Sequence, residues 1–128
     1  MSPLARFEHL AYAAFRVVAG FLFLFHGLQK LFGICVGSQV PLASQMGLAG
    51  VIETVGGTFI ALGAFTWAVA FICSGEMAVA YFQAHQPRGL WPIQNGGELA
   101  ALYCFAFLFI ATRGGGPYSL DAMLRRHR

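Results

Sequence analysis

Three of the chain's five acidic residues lie inside long apolar runs. Glu53 sits in GLAGVIETVGGTFIALGAF, Glu76 in AVAFICSGEMAVAYF and Glu98 in NGGELAALYCFAFLFIA. The first apolar run adds Arg16, His26 and Lys30. Ionisable side chains in such surroundings pair with one another, face the interior of a helix bundle, or do chemistry. A carboxylate beside an ammonium or an imidazole can fix the register of two helices, or it can move protons to and from a bound molecule. His26, Lys30, Glu53 and Glu76 are therefore the candidates for a buried polar pocket. Arg16 is a further embedded charge with no role evident from the sequence.

The elements that position these residues follow from composition. The chain has 128 residues, of which 58% are hydrophobic and 10% charged, and its mean hydropathy is +0.66. Soluble domains are about 45–50% apolar and about 25% charged, so lipid is the natural solvent for this chain. Its length allows one domain, spanning 1–128. Apolar runs predict four helices over about 10–32, 47–64, 67–85 and 97–112, followed by a tail at 113–128. Gly33, Gly37 and Pro41 break the first connection, and Pro87, Gly89, Pro92 and Gly96 break the third. The second is so short that the helices it joins must be antiparallel. His26, Gln29 and Lys30 follow the first apolar stretch where a signal peptide would carry small residues, so that stretch reads as an uncleaved span. The expected fold is all-α, an integral membrane four-helix bundle.

Four spans leave both termini on one side. That side carries Arg6, Arg113, Arg125, Arg126 and Arg128, and the positive-inside rule places it in the cytoplasm. The expected location is the bacterial inner membrane. The lipid bilayer is the expected partner, because a basic end beside apolar helices suits an anionic lipid surface. No basic stripe with interleaved aromatics points to nucleic acid. At about 1.5 Å per residue, His26 and Glu53 lie roughly 9 Å below the outer interface. Arg16, Gly20, Phe23, Gly27 and Lys30 share one helix face, and Glu53 is flanked by Ala49, Gly50, Gly56 and Gly57. Polar groups on small-residue faces are expected where two helices approach closely.

Other residues have structural readings. Asn95 and Glu98, in N-G-G-E, have the spacing of a helix cap with a reciprocal carboxylate. Lys30 can snorkel to head groups. Cys73 and Cys104 read as packing residues, while Cys35 lies in a loop and is open to a redox or partner-linked role. The three cysteines show no C-x-x-C or metal-ligand spacing, so no metal site is expected.

The ordered set R-V-V-A-G-F-L-F-L-F-H-G-L-Q-K (16–30), Glu53 with Gly56-Gly57, Glu76, G-L-W-P-I-Q-N-G-G-E-L-A-A-L-Y (89–103) and G-G-G-P-Y-S-L-D (114–121) resembles the DoxX family of small four-helix bacterial membrane proteins. One departure is the link A-F-T-W, where a basic residue is expected. The resemblance implies association with membrane oxidoreductase complexes and a relation to subunits of a thiosulfate:quinone oxidoreductase. It carries over no catalytic residue set. Three functions follow as expectations. The first is a redox-linked subunit whose pocket takes a quinone head group or a small sulfur anion. No haem, flavin, iron–sulfur or nicotinamide motif occurs, so a partner protein would hold the redox centre. The second is a structural or assembly subunit without chemistry. The third is a small proton-coupled transporter built as a homo-oligomer; no inverted repeat supports it.

Overall fold

The computed structural model describes residues 1–35 and 39–128. The chain is all-helical, with no strand among the described residues. Its α-helices are α1 (Glu8–Phe32), α2 (Gln45–Leu62), α3 (Thr66–Ala80), α4 (Pro92–Asn95), α5 (Glu98–Arg113) and α6 (Leu120–Arg126). A 3-10 turn at Ala5–Phe7 leads into α1. A π-helical turn at Tyr81–His85 continues α3, and a second 3-10 turn follows at Gln86–Arg88. Two helical stretches, Ala5–Phe32 and Gln45–Leu62, are long and apolar enough to cross a membrane. Large apolar side chains such as Phe21, Leu22, Phe71, Ile72, Leu102 and Phe105 point outward. An exterior of this kind suits lipid, since soluble monomers seldom expose wide apolar patches.

The helices pack as two close antiparallel pairs, α1 with α2 and α3 with α5, joined chiefly through α2 and α3. Glycine sets the first pair. A Cβ at Gly20 would come within 2.6 Å of the Gly57 carbonyl oxygen, and one at Gly57 would overlap the backbone of Leu24 and Gly20. Seven residues along α1, Gly27 meets Gly50 and Thr54 in the same way. The two backbones therefore touch at equal steps along both helices. This is the close approach that small residues permit when no hydrophobic force separates helix from lipid.

The second pair meets through Ser74, whose hydroxyl donates to the Cys104 carbonyl at 2.7 Å. Cys73 is fully buried against Gly56, linking α3 to α2. Both cysteines are thus packing elements in the structure. Phe23 of α1 reaches the other pair by edge contact with Phe107 at 4.7 Å, and Tyr103 lies parallel to Phe107 at 5.4 Å. Such ring pairs contribute about 0.5–1.5 kcal/mol each beyond their area.

Two features lie outside the four expected spans. The connection after α3 is ordered by the π turn and by α4, and the tail folds into α6. Ser119 caps α6 by accepting from the Ala122 amide at 3.2 Å.

The glycine contacts make a direct prediction. Gly57→Ala should lower the thermal stability of the detergent-solubilised protein by about 1–3 kcal/mol, the range for overpacking a close contact. Gly75, also helical, has nothing within 4 Å of the place a Cβ would occupy. Gly75→Ala should therefore be neutral or stabilising, by up to about 1 kcal/mol from helix propensity. Equal losses for the two variants in parallel melts would contradict this packing.

Candidate functional site

The structure brings His26, Lys30, Glu53 and Glu76 to one cavity of about 790 Å³. The cavity lies where the two helix pairs part, between the last turns of α1, the start of α2, the end of α3 with its π turn, and the start of α5. Its walls are mainly apolar, with Met46, Leu48, Ile52, Ile72, Met77 and Leu99 among them. Phe23 and Tyr103, members of the aromatic cluster, also line it. A volume of this size fits the usual range for small-molecule sites, about 300–1,000 Å³.

Each polar group in the cavity has a distinct environment. Lys30 Nζ donates to Glu53 Oε2 at 2.7 Å. The Glu53 side chain is 2% exposed, whereas that of Lys30 is 20% exposed. The pair thus closes one wall, with the lysine stem reaching toward the surface. Glu76 is half-buried, and its Oε2 is shielded from solvent with no hydrogen-bond partner among the described residues. The Lys30 ammonium is thus committed to Glu53, and it makes no bond to Glu76 among the described residues. His26 stands edge-on to the Tyr103 ring at 6.0 Å and makes no side-chain hydrogen bond among the described residues. An unpartnered carboxylate oxygen and an unpartnered imidazole in an apolar cavity are groups that can accept or donate protons to a bound molecule.

The rim is polar. Gln45 Nε2 at the start of α2 donates to Gln83 Oε1 on the π turn. This joins the two helix pairs across the cavity. π turns recur at functional sites because the extra residue redirects side chains. Here the turn puts Gln83, Ala84 and His85 on the cavity wall. Helical spacing alone puts Gln83 on the Glu76 stripe but does not reveal Gln45, since nothing local marks its partner 38 residues away.

Asn95 and Glu98 take different parts. Asn95 is buried and holds the turn together. Its Oδ1 accepts from the Gly97 amide at 2.8 Å, and its Nδ2 donates to the Gly89 carbonyl at 3.0 Å and the Tyr81 hydroxyl at 3.3 Å. Glu98 departs from the expected reciprocal cap. It is exposed, and its carboxylate makes no hydrogen bond back to the residues before α5 among the described residues. The reason is Gly96, which ends α4 in the left-handed region at φ +73°. That conformation makes Gly97 the residue preceding the helix and moves its start past the register a reciprocal cap requires.

Arg16 lies away from the cavity, near the start of α1, and is 1% exposed. Its Nη1 donates to the Ile60 and Ala61 carbonyls at 2.9 and 2.8 Å, and its Nη2 to the Tyr118 carbonyl at 2.6 Å. The guanidinium caps the end of α2, where carbonyls lack helical partners and the helix dipole is negative. Gly63 follows at φ +74°, and a Cβ there would crowd Arg16 Nη1 and Ser119. Asp121 performs the opposite task and carries no signal of it in the sequence. Its carboxylate accepts from the Phe65 amide at 2.8 Å, and from the Thr66 amide and hydroxyl at 3.0 and 2.7 Å. It thereby caps the start of α3. Burial raises the Asp121 carboxyl's pKa, but the hydrogen bonds from Thr66 and Phe65 and the nearby Arg125 outweigh it, and the net shift is downward.

Comparison with known proteins places the chain. The DoxX family model matches residues 11–86, more than half of the chain. A Haemophilus influenzae protein described only as uncharacterized is 39% identical over 128 residues, covering 94% of this chain and 96% of the relative. No solved structure matches. The chain belongs to the DoxX family.

The ion pair can be tested by its stability. Lys30→Met alone should cost about 2–3 kcal/mol, because it strands Glu53 inside the protein. Lys30→Met with Glu53→Leu should recover most of that loss in a double-mutant cycle; strictly additive losses would rule the pair out as an interacting unit. The Asp121 cap can be tested by pH. A carboxylate with a depressed folded pKa stabilises the fold above its unfolded pKa, about 3.9, and that contribution fades as pH falls through the folded value. The melting-temperature advantage of the native protein over Asp121→Asn should thus be constant above about pH 5 and shrink toward about pH 3.

Proposed function

We propose that this DoxX-family chain is a multi-pass protein of the bacterial cytoplasmic membrane, a single four-helix bundle spanning 1–128 with both termini in the cytoplasm. The clustering of Arg6, Arg113, Arg125, Arg126 and Arg128 toward one end supports that orientation. We infer that it serves as a quinone- or sulfur-linked subunit of a membrane oxidoreductase complex.

The observation that carries this reading is the cavity. Its walls are apolar, yet it holds the Lys30–Glu53 pair, an unpartnered Glu76 oxygen and, among the described residues, an unpartnered His26. A quinone ring suits such walls, and its reduction takes up protons as well as electrons. Glu76 and His26 would exchange those protons, and Lys30 would supply positive charge at the rim. Electrons would come from a partner protein holding the redox centre, docked near α4, where Leu90, Trp91 and Ile93 are exposed. A second reading, an assembly subunit without chemistry, draws support from the same ion pair, since a closed Lys30–Glu53 contact also fixes helix register.

Purification in mild detergent tests the redox reading. A flavoprotein, sulfurtransferase or quinone should co-purify with the chain. In that complex, Glu76→Gln should leave assembly intact and lower turnover by about a hundredfold or more, the usual weight of a general acid or base. A Glu76→Gln complex that falls apart would favour the assembly role, and a stable one with full turnover would remove Glu76 from the chemistry.

A further inference from the structure

We propose that α6 is a clasp for anionic phospholipid, through which the lipid surface stabilises the helix ends above it. The inward side of α6 is committed to the protein. Asp121 caps α3, Ala122 is buried, and the Asp121 amide donates to the Gly63 carbonyl at 2.9 Å. The preceding Tyr118 carbonyl holds Arg16. The opposite side carries Leu120, Met123 and Leu124, which are 38%, 54% and 60% exposed and recur at helical spacing. Arg125, Arg126 and Arg128 are exposed around this apolar strip. Cationic side chains flanking an apolar face are the arrangement by which short helices lie in the plane of an anionic membrane surface.

A second observation selects lipid over a soluble partner. The Phe65 amide donates to Asp121, so α6 sits beside the α2–α3 link. There Phe65 and Trp67 are 68% and 67% exposed, and Tyr118 is 60% exposed. Exposed Trp and Tyr at one level mark the membrane–water boundary. The apolar strip of α6 therefore lies beside an aromatic band, with basic residues next to it. The acidic groups at this end are already engaged: Asp121 as a cap, and Glu8 with Arg113 at 2.7 Å. The free charge offered to the surroundings is positive.

The coupling is mechanical. The same short segment that would meet head groups also supplies the Tyr118 carbonyl to Arg16 and the Asp121 carboxylate to α3. Holding α6 against the surface disfavours the opening of both caps, so lipid binding adds to the stability of the fold by linkage.

The test compares melting temperatures of the full chain in phosphatidylcholine nanodiscs and in nanodiscs containing about one-third phosphatidylglycerol. The anionic discs should raise the melting temperature by a few degrees. High salt, which shortens the screening length to about 3 Å at 1 M, should remove the gain. Replacing Arg125, Arg126 and Arg128 with glutamine should also remove it, whereas replacing them with lysine should keep it. The lysine variant guards against a change that merely unfolds the tail. Equal melting temperatures in the two discs, or a full gain in the glutamine variant, would overturn the proposal. So would stabilisation by soluble polyglutamate in the absence of any response to anionic lipid, which would assign the surface to an acidic protein.

Discussion

The contact between α1 and α2 through Gly20, Gly57, Gly27 and Gly50 governs the rest of the structure. With both backbones in touch, the side chains at the ends of the contact have little freedom in where they go. Arg16, one turn before Gly20, arrives at the Ile60 and Ala61 carbonyls. Lys30, one turn after Gly27, reaches Glu53. A Cβ at Gly20, Gly27 or Gly57 would overlap the backbone of the facing helix, so a bulkier residue there must shift the helices that bring both cations to their partners. The two embedded charges are thus set by one packing decision, which is why they share a helix face with the glycines. In a lipid environment that dependence is strict, because no water stands ready to solvate a displaced cation.

Much of this was legible in the sequence because it is local. The recurrence of Arg16, Gly20, Phe23, Gly27 and Lys30 on one face, and the glycines around Glu53, are periodic patterns within single helices. They indicate a close-packed polar seam before any partner is known. Whether Lys30 snorkels or pairs is not decided by the pattern; its position relative to Glu53 depends on helix register, which the glycine contacts fix. Arg16 is opaque for another reason. Its partners are backbone carbonyls at a helix end, and carbonyls have no residue-type signature. Asp121 is hidden likewise: nothing near it in the chain says that its carboxylate caps a helix that starts 55 residues earlier. Glu98 is the converse case. Its spacing from Asn95 matches a cap, but the left-handed Gly96 moves the helix start and leaves it exposed.

The polar contacts between the two helix pairs are unevenly distributed. At the tail end, the Tyr12 hydroxyl donates to the Gly114 carbonyl, Arg113 meets Glu8, Arg16 holds Tyr118 and Asp121 holds Thr66. These bonds tie the start of α1, the α2–α3 link and the segment after α5 into one block. At the other end, the described bond between the pairs is the exposed Gln45–Gln83 contact. The aromatic cluster of Phe23, Tyr103 and Phe107 lies between the two regimes.

That asymmetry bears on what the cavity can do. Groups with unmet hydrogen-bonding capacity raise the free energy of a site until a ligand or a proton meets it. A site can tolerate this when its surroundings are anchored elsewhere, and here the anchoring lies at the far end of the same helices. The Gln45–Gln83 contact at the cavity rim shares no residue with the caps that hold α2 and α3. The π turn fits this division: it interrupts the regular helix only at the open end, where side chains must be redirected toward the cavity. The polar anchoring and the cavity's unpartnered groups are therefore separated along the helix axis, with the glycine seam of α1 and α2 connecting them.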